Sequence, residues 1–98
     1  MREGGSKFSN ITTQTTTVVH GAPCILERIQ VNKKTASGVI TIYDSLAGSG
    51  TKVGTITNPG TLLNNSEDYE YGVRCATGCT VVTGTADQDL TVVVTPVA

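Results

Sequence analysis

The 98-residue chain has no tryptophan, one phenylalanine, three tyrosines and a single histidine. Aromatic side chains bury the most apolar area per residue, so the core has to be assembled from Val, Ile, Leu and Thr. Charge of one sign is missing too: seven basic and eight acidic residues are dispersed along the chain, for a formal net charge of −1. A nucleic-acid partner normally requires a basic stripe to neutralise phosphates, and a polybasic membrane contact requires a local cluster. The composition predicts neither. No stretch approaches the roughly 20 apolar residues of a transmembrane helix, and the opening MREGGSKFSN has no apolar core of a secretory signal. Three cysteines, an odd number without a signal, fit synthesis in a reducing cytosol better than a secreted disulfide scaffold.

What is abundant is threonine, followed by valine and glycine. Thr and Val favour strands, and no window offers the i, i+3, i+4, i+7 spacing of an amphipathic helix. Short alternating runs bounded by Gly, Asn, Pro or Ser predict strands at Thr12–Val19, Cys24–Asn32, Gly38–Asp44, Lys52–Thr57, Glu70–Cys75, Cys79–Thr83 and Leu90–Thr95. A further extended piece falls near Thr61–Leu63. Seven or eight strands at this spacing indicate an all-β fold, a single small antiparallel sandwich of jelly-roll or immunoglobulin-like type. Residues 1–10, containing Gly and Ser, read as a flexible arm before a domain of residues 11–98. In VITIYD, Ile40 and Ile42 share one face and Val39, Thr41 and Tyr43 the other; Leu90, Val92 and Val94 line a face of the last strand. A core this thin gains from oligomerisation.

Candidate chemistry centres on GVRCATGCTVV, where Cys75 and Cys79 stand four positions apart. Structural zinc sites use C-x2-C or C-x4-C and four ligands; here the spacing is C-x3-C, with only Cys24 and His20 to complete a set. A redox pair needs C-x2-C at a helix N-terminus. The segment reads instead as a three-residue hairpin, closed by Gly78 in the left-handed region. Cys75 and Cys79 then lie on one side with Val73 and Val81, as small buried hydrophobes, with a cross-strand disulfide as the lesser alternative. A His20–Cys24 dyad lacks an oxyanion hole. GSGTK (Gly48–Lys52) lacks the phosphate-loop spacing. Glu67, Asp68, Glu70, Asp87 and Asp89 read as solvated loop carboxylates, with a calcium site as the lesser alternative, and Asn10-Ile-Thr and Asn64-Asn-Ser match glycosylation sequons. No catalytic residue, cofactor site or metal site is assigned, and the chain is not expected to be an enzyme.

The runs TTVVHGAPCILERIQVNKKTASGVITIYDSLAGSGTKVGTI and EYGVRCATGCTVVTGTADQDLTVVV carry a resemblance. They resemble small virion proteins of tailed bacteriophages, encoded among head and tail genes. The likeness rests on Thr16–Val19, Gly21, Leu26, Ile29, Val31, Asn32, Ser37–Asp44, Gly50, Thr51, Gly72, Val73, Thr77, Gly78, Val81–Asp87 and Thr91–Val93, within a span of about Thr15 to Thr95. It departs from the family pattern at Cys75 and Cys79. The resemblance implies a β-sandwich capsid decoration (cement) protein, often trimeric, on the exterior of the virion head. Its partners would be copies of itself and the major capsid protein. The alternatives are a tail, baseplate or head-fibre module, or a glycan-binding sandwich using Tyr69 and Tyr71, which share a strand face; Tyr43 is the remaining tyrosine.

Overall fold

The computed structural model describes residues 6–62, 64, 66–85 and 87–97. Eight strands form: β1 (Lys7–Ile11), β2 (Thr16–His20), β3 (Cys24–Lys33), β4 (Val39–Asp44), β5 (Thr51–Thr57), β6 (Glu67–Cys75), β7 (Cys79–Gly84) and β8 (Asp89–Pro96). They build two antiparallel sheets of four, ordered β1-β8-β3-β6 and β2-β7-β4-β5, hereafter the first and second sheets. The ladders pair β1 with β8, β2 with β7, β3 with β6 and β4 with β5. The chain is therefore one long antiparallel hairpin, tipped at residues 45–50 and rolled up. β3–β8 and β4–β7 ladders knit the successive pairs together. That order is a jelly roll; an immunoglobulin-like sandwich would place sequential β1 and β2 side by side, whereas here they lie in different sheets.

Alternation sets the faces. Leu26, Ile29 and Val31 of β3, Ile40 and Ile42 of β4, Val81 of β7, and Leu90, Val92 and Val94 of β8 are all buried between the sheets. Burying each such side chain contributes about 1.5–3 kcal/mol. Val39, Thr41 and Tyr43 point the other way and remain half-buried, as the VITIYD pattern predicts.

Four expectations need correction. Residues 7–10 are not an arm: they form β1, hydrogen-bonded to β8, and Ile11 closes the core edge at 4% exposure. The predicted strand Thr12–Val19 begins only at Thr16, because residues 12–15 carry the chain from one sheet to the other. There the Gln14 amide donates to Asp87 and the Thr15 amide to the Thr83 hydroxyl. Thr61 and Leu62 are not in a strand, and Leu63 lies outside the described residues. Finally, β6 and β7 do not pair with each other. Cys75 ends a strand of the first sheet and Cys79 begins one of the second, so CATGC is a corner between layers.

Candidate functional site

The crossings between sheets gather at two ends of the roll, and the side chains singled out in the sequence divide between them. At the corner end lie all three cysteines. Cys24 and Cys75 face one another across the β3–β6 ladder, and Cys79 stands across β7–β2 from His20. All three thiols are free and fully buried. Burial pushes the Cys24 thiol up to about 11, with Cys75 adding to it, and burial also raises Cys75 and Cys79. A thiol so raised is a poor nucleophile, since the thiolate is the reactive form. Cys24, Cys75, Cys79 and His20, the residues weighed and set aside as a zinc set in the sequence, thus lie at one end of the roll. Yet no group of three or more His, Cys, Asp or Glu among the described residues is arranged to hold a metal ion.

Gly78 has a different task from the one the sequence suggests. Among the described glycines, positive φ occurs at Gly50 (109°) and Gly72 (65°), not at Gly78. A Cβ on Gly78 would sit 2.7 Å from Leu46 Cδ2 and 2.8 Å from the His20 carbonyl oxygen. Glycine is required there because two other segments close over the corner.

The opposite end is polar. Asn58, 2% exposed, donates through Nδ2 to the Thr35 carbonyl (3.0 Å) and to Gln88 Oε1 (2.9 Å). Gln88, equally buried, donates to the Val39 carbonyl. Three of the five carboxylates weighed against a calcium site have protein donors here. Asp89 accepts from Asn10 and Asn32, Asp87 from the Gln14 amide, and Glu67 from Lys34. The sequon asparagines are engaged as well: Asn10 donates to Asp89 and to the Leu90 carbonyl, and Asn64 accepts from Lys34. In GSGTK, Gly48 belongs to the hairpin tip, whose Cβ position abuts Val82 and Thr16 on the second sheet. The tip is a packed turn.

The tyrosines do not make a stacking platform. Tyr69 and Tyr71 are partly buried and pack against the core. Tyr71 spans from β6 to β5, where a Cβ on Gly54 would lie 3.0 Å from its hydroxyl oxygen. Burial raises the pKa of both. They seal the open side of the sandwich.

The outer face of the first sheet carries what the sequence reading missed. Phe8, the chain's one phenylalanine, is 70% exposed there, directly across the ladder from Val93. Together with Lys7, Arg28, Gln30 and Thr91 these residues line an open groove of about 410 Å³. Little in the sequence signals this strand, since the two apolar residues of KFSNI, Phe8 and Ile11, stand three positions apart and fall on opposite faces of it. Among the described residues the one salt bridge joins Lys34 to Glu67, so Lys7 and Arg28 have no ion-pair partner among them. An exposed aromatic ring beside a guanidinium suits binding. No protein-family model, no curated protein and no solved structure matches the chain.

Proposed function

We propose that the chain is a structural protein of a bacteriophage virion. In this reading it is a capsid decoration protein that binds the head exterior as a homo-oligomer and braces neighbouring major capsid subunits. One observation carries the reading: the segments that resemble phage virion proteins fall on the strands of the rolled hairpin. TTVV lies in β2, VITIYD is β4, GVRC ends β6, and TVVTG and LTVVV lie in β7 and β8. The likeness thus follows the scaffold of both sheets and is not confined to one turn. Jelly rolls recur in viral capsid proteins, which supports the reading by analogy of fold only.

The test is to incubate purified protein with expanded phage heads stripped of accessory proteins, sediment them, and image the pellet by cryo-electron microscopy. Added density at regular positions on the capsid lattice is the expected result. Protein that stays in the supernatant, or is found only on tails or fibres in native virions, overturns the cement assignment.

A further inference from the structure

Lys34, one residue beyond β3, reaches across to the chain that enters β6. Its Nζ donates to Glu67 Oε1 at 2.5 Å and to Asn64 Oδ1 at 2.9 Å. The Lys34 side chain is only 7% exposed, against 44% for Glu67. Among the described residues no other lysine hydrogen-bonds a carboxamide. Three kinds of group thus meet at one nitrogen. They are an amine, an amide carbonyl that the amine can attack, and a carboxylate able to take up and return protons. The backbone beside the lysine is pinned. The Thr35 hydroxyl donates to the Asp87 carbonyl at 2.5 Å, and the Thr35 carbonyl accepts from Asn58 Nδ2 and from the Gly38 amide, both at 3.0 Å. Across the β3–β6 ladder Val31 stands opposite Glu67, which fixes the carboxylate near the lysine. Held partners of this kind turn a slow encounter into a unimolecular step.

We propose that Lys34 and Asn64 are the site of an intramolecular isopeptide bond, closed by the protein itself with Glu67 as the proton relay. The Lys34 ammonium passes a proton to the Glu67 carboxylate, and the free amine attacks Asn64 Cγ, one bond beyond the Oδ1 it already contacts. The Nζ–Cγ bond forms and the Cγ–Nδ2 bond breaks. Nζ gives up two of its three protons, and Glu67 carries them to Nδ2, which leaves as ammonium. Glu67 ends as the carboxylate it began as, and no oxidant or reductant is consumed. Asn64 is exposed, so the leaving group has a path to solvent.

At rest the Glu67 hydrogen bond raises the Lys34 pKa, and the Lys34 bond lowers that of Glu67. The free amine is therefore the minor form, and closure takes hours to days. The product joins residues thirty positions apart, enclosing β4 and β5 and tying the β3–β4 connection to the β5–β6 connection. A cross-link over such a span stabilises by restricting the unfolded chain, as a disulfide does, and an amide needs no oxidising compartment. The inference goes beyond the proposed function and stands or falls independently of capsid binding.

Intact-mass spectrometry of the purified chain, followed over days at neutral pH, tests it, with circular dichroism melts to show that each variant folds. The wild type is expected to become lighter by one ammonia. Tandem spectra of its tryptic digest should then show a branched peptide joining Lys34 to Asn64. Lys34→Arg and Asn64→Ala should keep their full mass. Glu67→Gln should slow closure about a hundredfold or more, as loss of a proton relay does. A wild type that holds its full mass throughout overturns the proposal. So does an ammonia loss that persists in folded Lys34→Arg, since Asn64 would then be cyclising onto the backbone. Closure at the wild-type rate in folded Glu67→Gln overturns the role given to Glu67.

Discussion

Asp44, the last residue of β4, accepts a hydrogen bond from the Thr77 amide at 2.8 Å, and so holds the corner between the two sheets from the second sheet's side. Its Oδ1 also meets the Gly78 amide (3.3 Å), while Oδ2 accepts from Ala76 (3.1 Å). Three successive N–H groups converge on one carboxylate, a small anion-binding concavity filled by the protein itself. The Thr77 amide, followed by those of Ala76 and Gly78, holds the Asp44 carboxyl below the usual carboxylate range against the opposing effect of burial.

Asp44→Ala is accordingly expected to lower stability by about 1–3 kcal/mol, because charge-assisted hydrogen bonds are lost and the freed amides turn to water. Asp44→Asn should recover part of this, since its carbonyl can still accept from Thr77 and Gly78 but its NH2 opposes Ala76. A depressed folded pKa means that the unfolded chain binds the proton first as pH falls. The stabilisation is therefore complete above the ordinary Asp range, near about 3.9, and is lost as pH drops through the lower folded value. Asp89, depressed by Asn10 and then Asn32, adds in the same direction. Urea midpoints from pH 7 downward should fall for the wild type and fall less steeply for Asp44→Asn. Parallel curves would show that Asp44 is not a source of the acid dependence.

The three thiols give a second expectation. Cys24, Cys75 and Cys79 are fully buried with raised pKa values, so both access and thiolate population are low. An aromatic disulfide reagent at pH 8 should titrate none of them within minutes in the native protein and all three in guanidinium. Cys79→Ser should destabilise by about 1–3 kcal/mol, since a hydroxyl placed among apolar neighbours must find a partner or go without. Rapid native labelling, or fewer than three thiols after unfolding, would contradict the burial described.

Period-two alternation made the buried faces legible: Ile40 and Ile42, and Leu90, Val92 and Val94, sit where the pattern puts them. Seven of the eight strands follow from the same spacing; β1 does not. Pairing partners are a different matter, because they are long-range. The three residues between Cys75 and Cys79 suit a hairpin or a corner equally well. What decides is that β3 offers its edge to β6 while β2 and β4 flank β7, with partners more than thirty residues from Cys75 or Cys79. Phe8 was hidden for a related reason. A five-residue strand has little internal signal, and the partner of Phe8 in β8, Val93, lies at the far end of the chain.

Gly78 and Gly72 separate two reasons for glycine. At Gly78 an added methyl collides with Leu46 Cδ2 and with the His20 carbonyl oxygen. Leu46 is a half-exposed tip that can swing aside; the carbonyl cannot. Gly78→Ala should cost about 1–3 kcal/mol, as overpacking does, and adding Leu46→Ala should relieve only part of it. At Gly72 nothing lies within 4 Å, but φ is 65°. Gly72→Ala should therefore cost about 1 kcal/mol for the left-handed backbone alone, and Gly72→Asn less, since Asn tolerates that region. Chemical denaturation of the four variants checks the ordering. If Gly72→Asn were no better than Gly72→Ala, backbone conformation would not be the cause.

At the other end, Asn58 donates both of its N–H groups inside the roll, while its Oδ1 is buried without a protein partner. The two acceptors it serves, the Thr35 carbonyl and Gln88 Oε1, come from the β3–β4 and β7–β8 connections, so one amide ties three segments. Gly38 keeps this arrangement open, since a Cβ there would lie 2.7 Å from Gln88 Cδ. Asn58→Asp replaces the donors with a carboxylate facing two oxygens. It should cost about 3 kcal/mol or more near neutral pH, and lose less in acid, where a protonated Asp can donate once. Asn58→Ala should cost about 2–4 kcal/mol, because both acceptors then lack their donor. Stability curves at pH 4 and pH 7 distinguish the two: a narrowing gap to wild type in acid is expected for Asn58→Asp only. The same narrowing for Asn58→Ala would mean that the amide protons are not what holds these connections.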